Sequence, residues 1–357
     1  PNTLLRAGDR AVAGAGNLAR RVLVGLEVAL AIVVLCGAGL LIKSLAGLMS
    51  VNPGLDPREV LTLQVSLPQP DTYGPPVRES FCAELARAAN GLPGVRAIGA
   101  VSHLPLSGAN AGRGLTIEGR VAATPNDNAS AAYRLTCPGY FATLGISLLE
   151  GRDFSDRDTT GGEPVVIVSR TMAAQYWPGE SALGRRLKLG ALENTNPWLT
   201  VVGVADDIRH FGLDSEPRRE IFLPYSQRAW PSMTITAKTV GDPLSWQTTL
   251  KDVVKRVDPA LPIARVQPME QVIQSSVYWR EMPMQLLTGF SAIGLLLAWI
   301  GVYGVLAYFV SQRTREFGVR AALGATRQQL SALVIRQSML PLAGGAALGI
   351  AGSLASG

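Results

Sequence analysis

The sequence predicts an α+β membrane protein in which transmembrane helices bracket a large extracytoplasmic α/β domain. Three observations lead there. Apolar residues make up 47% of the chain and charged residues only 17%, and the apolar excess is gathered into Val22–Ile42, Leu286–Val310 and Leu340–Leu354. The stretch between the first two has ordinary water-soluble composition and is long enough to build a core of its own. Arginines crowd the ends of the apolar segments, with Arg6, Arg10, Arg20 and Arg21 before the first and Arg313, Arg315, Arg320 and Arg327 after the second.

A helix rising ~1.5 Å per residue needs about 20 apolar residues to cross the hydrocarbon core. Val22–Ile42 meets that requirement with one charge, Glu27. Arginines also precede the core of a signal peptide, but no small-residue cleavage site follows, and Lys43–Met49 continues the helical pattern, so the segment reads as an anchor. Glu27 lies about a turn inside the boundary, where a carboxylate snorkels to the headgroups or pairs with an arginine. Leu286–Val310 is uncharged and carries Gly289, Gly294, Gly301 and Gly304, small residues that let helices approach closely. Leu340–Leu354 begins a third span. The chain starts with Pro1 and stops near the end of that span, so a longer protein is expected.

Basic residues flanking membrane spans mark the cytoplasmic side. That rule divides the chain into a cytoplasmic N-terminal segment (1–21), a first span (22–43), an outer domain (44–283), a second span (284–310), a cytoplasmic loop (311–337) and a truncated third span (338–357). The net charge of +6 follows from these flanks. No basic, aromatic-interleaved stripe appears in the outer stretch, and nucleic acid is excluded as a partner.

Within the outer stretch, Val60–Leu67 alternates with period two and is ended by Pro68 and Pro70. Val77–Asn90 carries apolar residues at helical spacing, and Val95–Val101 reads as a strand, which together suggest a β-α-β unit with a crossover. Further strands are predicted at Leu115–Glu118, Tyr133–Thr136, Pro164–Ser169, Leu199–Val204, Glu220–Pro224, Met233–Lys238 and Pro262–Val266. Helices are predicted at Arg170–Tyr176, Leu244–Val257 and Met269–Ser276, the last running toward the membrane. Two lobes are expected: β-α-β-type pieces at about 55–110 and 230–270 around a strand-rich insertion at about 111–230. Cys82 and Cys137 lie in this stretch. An oxidising compartment would allow them to pair, but nothing in their spacing requires it, and they read as small apolar residues.

Chemistry is sparse. There is no G-x-x-x-x-G-K-[ST], H-E-x-x-H, G-x-S-x-G or C-x-x-C motif, and there are two histidines, His103 and His210. Asp206-Asp207 with His210 reads as a solvated acidic loop. Asp153, Asp156 and Asp158 lack the glycine and closing glutamate of a calcium loop and have Arg152 and Arg157 beside them. No catalytic residue, metal site or cofactor is assigned, and the chain is not read as an enzyme.

The informative stretch is Ser311–Gln337. It is charged at first and then amphipathic, with Leu323, Leu330, Leu333 and Val334 at helical spacing and Gly318 and Gly324 permitting a tight turn between two short helices. Such an element can dock a soluble partner or lie on lipid headgroups. Its segment Glu316-Phe-Gly-Val-Arg320-Ala-Ala-Leu323-Gly324-Ala325 resembles the E-[FIV]-G-[IV]-R-x-A-[LM]-G-A signature of FtsX-like ABC-transporter permeases, the macrolide-exporter superfamily. Pro138–Ile146 with Gly151–Phe154, Val202–His210 and Ile221–Pro224 look like the periplasmic core domain of that family. The wording is similar to one unit of the duplicated permeases of acidobacterial type.

The resemblance implies a multi-pass inner-membrane permease with its large domain in the periplasm. It implies a cytoplasmic ABC ATPase partner contacting Glu316, Phe317, Gly318, Arg320, Leu323, Gly324 and Ala325, and a second permease unit or homodimer partner. It also implies a relay by mechanotransmission, in which Lys43–Met49 and Ser275–Met282 continue the spans outward as stalks. The family unit has four spans, whereas here the third is cut short. The expected function is efflux or extraction of an amphiphile; the alternatives are a non-transporting mechanotransmitter acting on a periplasmic partner and a sensor without an ATPase. The signature argues against the last.

Overall fold

The computed structural model describes residues 2–66, 75–120, 129–228 and 230–356. The breakers Pro68 and Pro70 lie outside the described residues. By contact density the chain forms two units, one of residues 48–278 and one comprising residues up to 47 together with 279 onward.

In the first unit the alternating segments become strands whose order explains the β-α-β signal. Strand β1 (Val60–Ser66) leads to helix α2 (Pro75–Ala89) and strand β2 (Val95–Val101); strand β10 (Ser232–Thr239) leads to helix α5 (Gln247–Val257) and strand β11 (Ile263–Pro268). The order is β11-β1-β10-β2, antiparallel throughout. Each β-α-β unit is therefore split by a strand of the other. On one face of this sheet, Leu61, Leu63 and Val65 of β1 share a buried cluster with Phe81 and Leu85 of α2 and Leu250, Val253 and Val254 of α5.

The residues between β2 and β10 carry β3 (Gly112–Ile117), β4 (Ala129–Thr136), helix α3 (Tyr140–Thr143), β5 (Leu148–Gly151), β6 (Val165–Ser169), helix α4 (Arg170–Tyr176), β7 (Arg186–Leu189), β8 (Trp198–Ala205) and β9 (Glu220–Pro224). Six of these strands close on themselves. The path β4-β3-β7-β8-β6-β9 returns to its start because β9 pairs with β4 in parallel from Ala132↔Glu220 to Thr136↔Pro224. Alternate residues fill the ring: Leu115 and Ile117, Tyr133 and Leu135, Val166 and Val168, Leu199 and Val201, and Ile221 and Leu223 belong to one buried cluster. Period-two alternation with both faces covered is what closure of a small barrel demands. The intervening Val165, Ile167 and Phe222 enter a second cluster with Val60, Val101, Tyr140, Phe141 and Met269. The two lobes expected from sequence are not separated as units. All eleven strands belong to one sheet, and β2 joins β4 through the single pair Val101↔Thr136.

Two features of this unit differ from the sequence reading. Cys82 on α2 and Cys137 after β4 form a disulfide, with Cα atoms 5.4 Å apart, because the helix and the strand end meet in the same core cluster. The pairing suits an oxidising compartment. In addition, β4 buries an arginine. Arg134 is fully buried; its guanidinium donates to Glu220 Oε1 at 3.3 Å, to His210 Nδ1 at 3.3 Å and to the Tyr133 carbonyl at 3.0 Å. Burial raises Glu220 to about 7 although Arg134 pulls it down, and burial lowers His210 to about 3, with Arg134 acting in the same sense.

In the second unit, helix α1 (Asn2–Met49) contains an apolar stretch Gly25–Met49 and helix α6 (Met269–Gln312) contains Gln285–Tyr308, both long and apolar enough to cross a membrane. Leu26, Leu30, Phe290 and Trp299 are exposed on them, as residues facing lipid are. Of the glycines expected at helix contacts, Gly294 lies against α1, where a Cβ would stand 3.8 Å from that of Ala31. Around Gly289 there is open space, whereas a Cβ on Gly345 would stand 2.3 Å from the Gly25 carbonyl oxygen, and one on Gly349 2.8 Å from that of Ala29. Both belong to helix α8 (Arg327–Ser356), which carries the apolar stretch Ala343–Gly352. Small residues here let α8 seat against α1.

Three outcomes follow for the outer unit. Replacing Cys82 and Cys137 with serine removes a cross-link across 55 residues and should lower unfolding stability by about 2–4 kcal/mol, read by denaturant titration with and without reductant. Arg134→Met leaves Glu220 buried without its cation and should cost about 3–5 kcal/mol. His210 is held neutral, so its contribution is complete above its ordinary value of 6.5 and is lost as pH falls toward 3. His210→Gln should therefore flatten the acid limb of the stability profile. Glu220 acts oppositely, its contribution being complete below 4.5 and lost as pH rises through about 7.

Candidate functional site

The residues singled out by sequence, Glu316 to Ala325, form helix α7 (Thr314–Ala322) and the turn after it. Glu316 sits in the first turn, where a carboxylate complements the helix dipole. It accepts from Arg320 one turn on at 2.7 Å, and Arg313 stands 3.8 Å away. No residue of α7 is buried; Phe317 is half-buried, Val319 is exposed and Leu323 is 82% exposed. Gly318 lies within the helix and not in a turn, which corrects the expectation for that residue.

Gly324 does make the turn. Its φ is +94°, and a Cβ there would meet nothing within 4 Å, so the constraint is conformational and not one of space. Gly324 N–H donates to the Ala321 carbonyl at 3.1 Å and Ala325 N–H to that of Arg320 at 3.0 Å, the paired closure of a Schellman end. The next helix starts at once. Thr326 and Gln329 cap each other, Thr326 N–H to Gln329 Oε1 at 3.0 Å and Gln329 N–H to Thr326 Oγ1 at 3.4 Å, which is a capping box. The expected pair of short helices is thus one short helix, a turn locked at both ends, and the 30-residue α8. The element offers an apolar and basic surface on a rigid corner, and no nucleophile or acid–base pair.

The acidic candidates resolve into structural roles. Asp207 is not solvated: it accepts from Thr171 N–H at 2.9 Å and Thr171 Oγ1 at 2.8 Å at the start of α4, with Arg170 at 3.3 Å. Asp158 receives both ends of the Arg152 guanidinium, at 2.8 and 2.9 Å. Asp153 accepts from Gly139 N–H and Phe154 N–H. Among the described residues no cluster of three His, Cys, Asp or Glu can hold a metal ion. The buried Arg134–His210–Glu220 group escaped the sequence reading. Its one signal was a charge inside the apolar run Ala131–Cys137.

A family model of the MacB-like periplasmic core domain matches residues 28–280, and one of the FtsX-like permease C-terminal region matches residues 288–357. Apolar helices flanking a mixed α/β domain, with this corner between two of them, define a membrane permease of the ABC-transporter class. The chain belongs to the FtsX-like permeases with a MacB-like periplasmic core domain, the MacB and YknZ type. Both matched regions are permease domains; the ATPase of such transporters lies in a separate domain or partner.

The chain is 26% identical over 215 residues to the uncharacterized ABC transporter permease YknZ of Bacillus subtilis, covering 58% of this chain and 52% of that one. It is 29% identical over 233 residues to the macrolide export ATP-binding/permease protein MacB of Escherichia coli, covering 61% and 34%. The matched part is thus about half or a third of the relatives' length. The periplasmic region of MacB from Actinobacillus actinomycetemcomitans aligns with a TM-score of 0.41 at 14% identity, over 62% of this chain and 94% of that one.

Proposed function

We propose that the chain is the membrane subunit of a mechanotransmission ABC transporter, coupling ATP hydrolysis in a cytoplasmic partner to a change in its periplasmic domain and expelling or extracting an amphiphile. The observation that carries this reading is helix α6. It is one helix of 44 residues, about 66 Å at 1.5 Å per residue against a hydrocarbon core of about 30 Å. Its first turns supply Met269 and Val272 to the outer-domain core, and α7 follows its last turn across Arg313. A continuous helix transmits displacement because its hydrogen-bonded backbone resists compression, so a shift at one end reaches the other as a rigid-body change.

On this reading the domain limits expected from sequence describe the working parts: cytoplasmic segment 1–21, spans 22–43 and 284–310, outer domain 44–283, cytoplasmic corner 311–337 and third span 338–357. The inner membrane is the setting, lipid surrounds the spans, and a second permease unit or a homodimer partner completes the transporter. Glu316, Phe317, Gly318, Arg320, Leu323, Gly324 and Ala325 form the ATPase contact. Leu323 and Val319 supply apolar area, Arg320 held by Glu316 supplies charge, and Gly324 fixes the angle between the contact helix and α8. The seven residues fall inside the FtsX-like match.

The test is ATPase turnover of the full chain reconstituted with its ATPase in nanodiscs. Arg320→Glu, which reverses the charge at the corner, and Gly324→Trp, which forces a side chain into a left-handed backbone, should each reduce coupled turnover by about tenfold or more. Thermal unfolding of the outer domain should stay unchanged. Full turnover in both variants removes the contact from this corner. If periplasmic proteins change turnover and no amphiphile does, the chain is a non-transporting mechanotransmitter.

A further inference from the structure

Among the described residues a cleft borders the six-stranded ring. A cavity of about 440 Å³ there is walled by Tyr133, Leu199 and Leu223, whose side chains face the ring interior, with Trp230, Arg113 and Arg228 at its rim. The volume lies in the range that holds small ligands, and barrel mouths are among their usual places. Trp230 is fixed against His103, with ring centroids 4.8 Å apart, and lies 6.3 Å from the Tyr133 ring. The aromatic wall is therefore in place before any ligand arrives, so little ordering cost is left for binding.

The charge at this mouth is one-sided. No Asp or Glu is among the described residues that line it. Arg113 sits on β3 with its guanidinium 5.9 Å from the Tyr133 ring centroid, and Arg228 lines the same mouth. Several other arginines of the outer unit stand beside carboxylates: Arg58 with Asp56, Arg96 with Glu59, Arg152 with Asp158 and Arg186 with Glu118. Among the described residues neither Arg113 nor Arg228 has such a partner. Arg113 also borders a second cleft of about 630 Å³ whose cations are Arg218 and Arg219, again with no carboxylate among its described lining residues. Arg218 stacks on Phe211 at 4.4 Å, and Arg219 donates to the Tyr176 hydroxyl at 2.8 Å. Guanidinium groups laid on aromatic faces keep their in-plane N–H donors directed outward, which suits bidentate binding of an oxyanion.

We infer that this mouth binds an amphiphilic small molecule with a carboxylate, phosphate or sulfate head, the head between Arg113 and Arg228 and the apolar body against Trp230, Tyr133 and Leu199. The inference gives the cargo of the transport reading a charge. It rests on that reading only in treating the ligand as cargo, since binding at the mouth requires neither ATP nor an ATPase.

The test is calorimetric titration of the full chain in neutral-lipid nanodiscs. The probes are hexyl phosphate, octanoate, hexyltrimethylammonium and inorganic phosphate, with no ATPase present. Hexyl phosphate and octanoate should bind with one-site stoichiometry and weaken as salt rises from 50 to 500 mM (about threefold or more), at least about tenfold more tightly than inorganic phosphate. Hexyltrimethylammonium should not bind. Arg113→Glu and Arg228→Gln should each weaken hexyl phosphate about tenfold or more, while Arg120→Gln, outside the mouth, should not.

Arg113 is exposed on its strand, so its variant tests the site even if Arg228→Gln disturbs folding, and an unchanged unfolding midpoint certifies it. Absence of binding by both anionic amphiphiles, equal binding of inorganic phosphate or of the cation, or full affinity in Arg113→Glu would overturn the inference. None of these results bears on the ATPase contact at Arg320, and failure of that contact leaves the binding measurements intact.

Discussion

Strand β4 is the constraint on which the outer domain depends. Its last residue, Thr136, pairs with Val101 of the split β-α-β sheet, its first half pairs with β3, and its second half pairs with β9. The ring cannot close, nor can it attach to the sheet, unless this one strand sits in register. A slip by one residue would turn Tyr133 and Leu135 out of the ring and bring Arg134 in. The ion pair opposes that slip. Arg134 reaches Glu220 on the neighbouring strand, in line with the parallel pairing Ala132↔Glu220 and Arg134↔Phe222. Next along the chain, Cys137 is joined to α2. A buried charge pair returns little net stability after desolvation, and hydrophobic filling of the ring supplies the stability.

Covalent and hydrogen-bonded ties are concentrated at particular places in the chain. The outer domain is tied by the disulfide, by ring closure and by a hydroxyl pair, Thr143 to Thr236 at 2.7 Å, that fastens α3 to β10. At the far end of α6 the corner is short, with a Schellman end on α7 and a capping box on α8 accounting for backbone donors that a loop would leave to water. The chain is helical from Met269 to Gln312. Here the one left-handed residue at the corner, Gly324, sets an angle and adds no slack.

Much of the fold could be read from periodicity. The strands at Val95–Val101 and Glu220–Pro224 and the helix Arg170–Tyr176 have the limits read from sequence. Strands β5 and β7 were missed. Leu148–Gly151 and Arg186–Leu189 are four residues each, too short to show a period, and they exist because β8 is there to pair with. Ring closure and the disulfide were illegible for the same reason: both join residues distant in sequence, and local pattern carries no information on which strand ends meet. Asp207 was misread because a solvated acidic loop and a helix cap look alike until the partner, Thr171, is placed beside it.

The corner at Glu316–Ala325 divides along the same line. Its helix, its turn at Gly324 and its i,i+4 pair are local and were within reach of a sequence reading; Gly318, by contrast, was misassigned, since glycine marks turns only where the backbone needs positive φ, and here the helix simply runs through it. What a sequence cannot give is exposure. Leu323 at the end of an amphipathic pattern would ordinarily be counted as core, yet it stands 82% exposed with Val319 one turn before it. An apolar pair on a short helix held at a fixed angle contributes nothing to the stability of its own unit while it faces water. It lowers free energy only when covered, and the locked geometry on both sides of it means that covering requires little rearrangement of the corner itself.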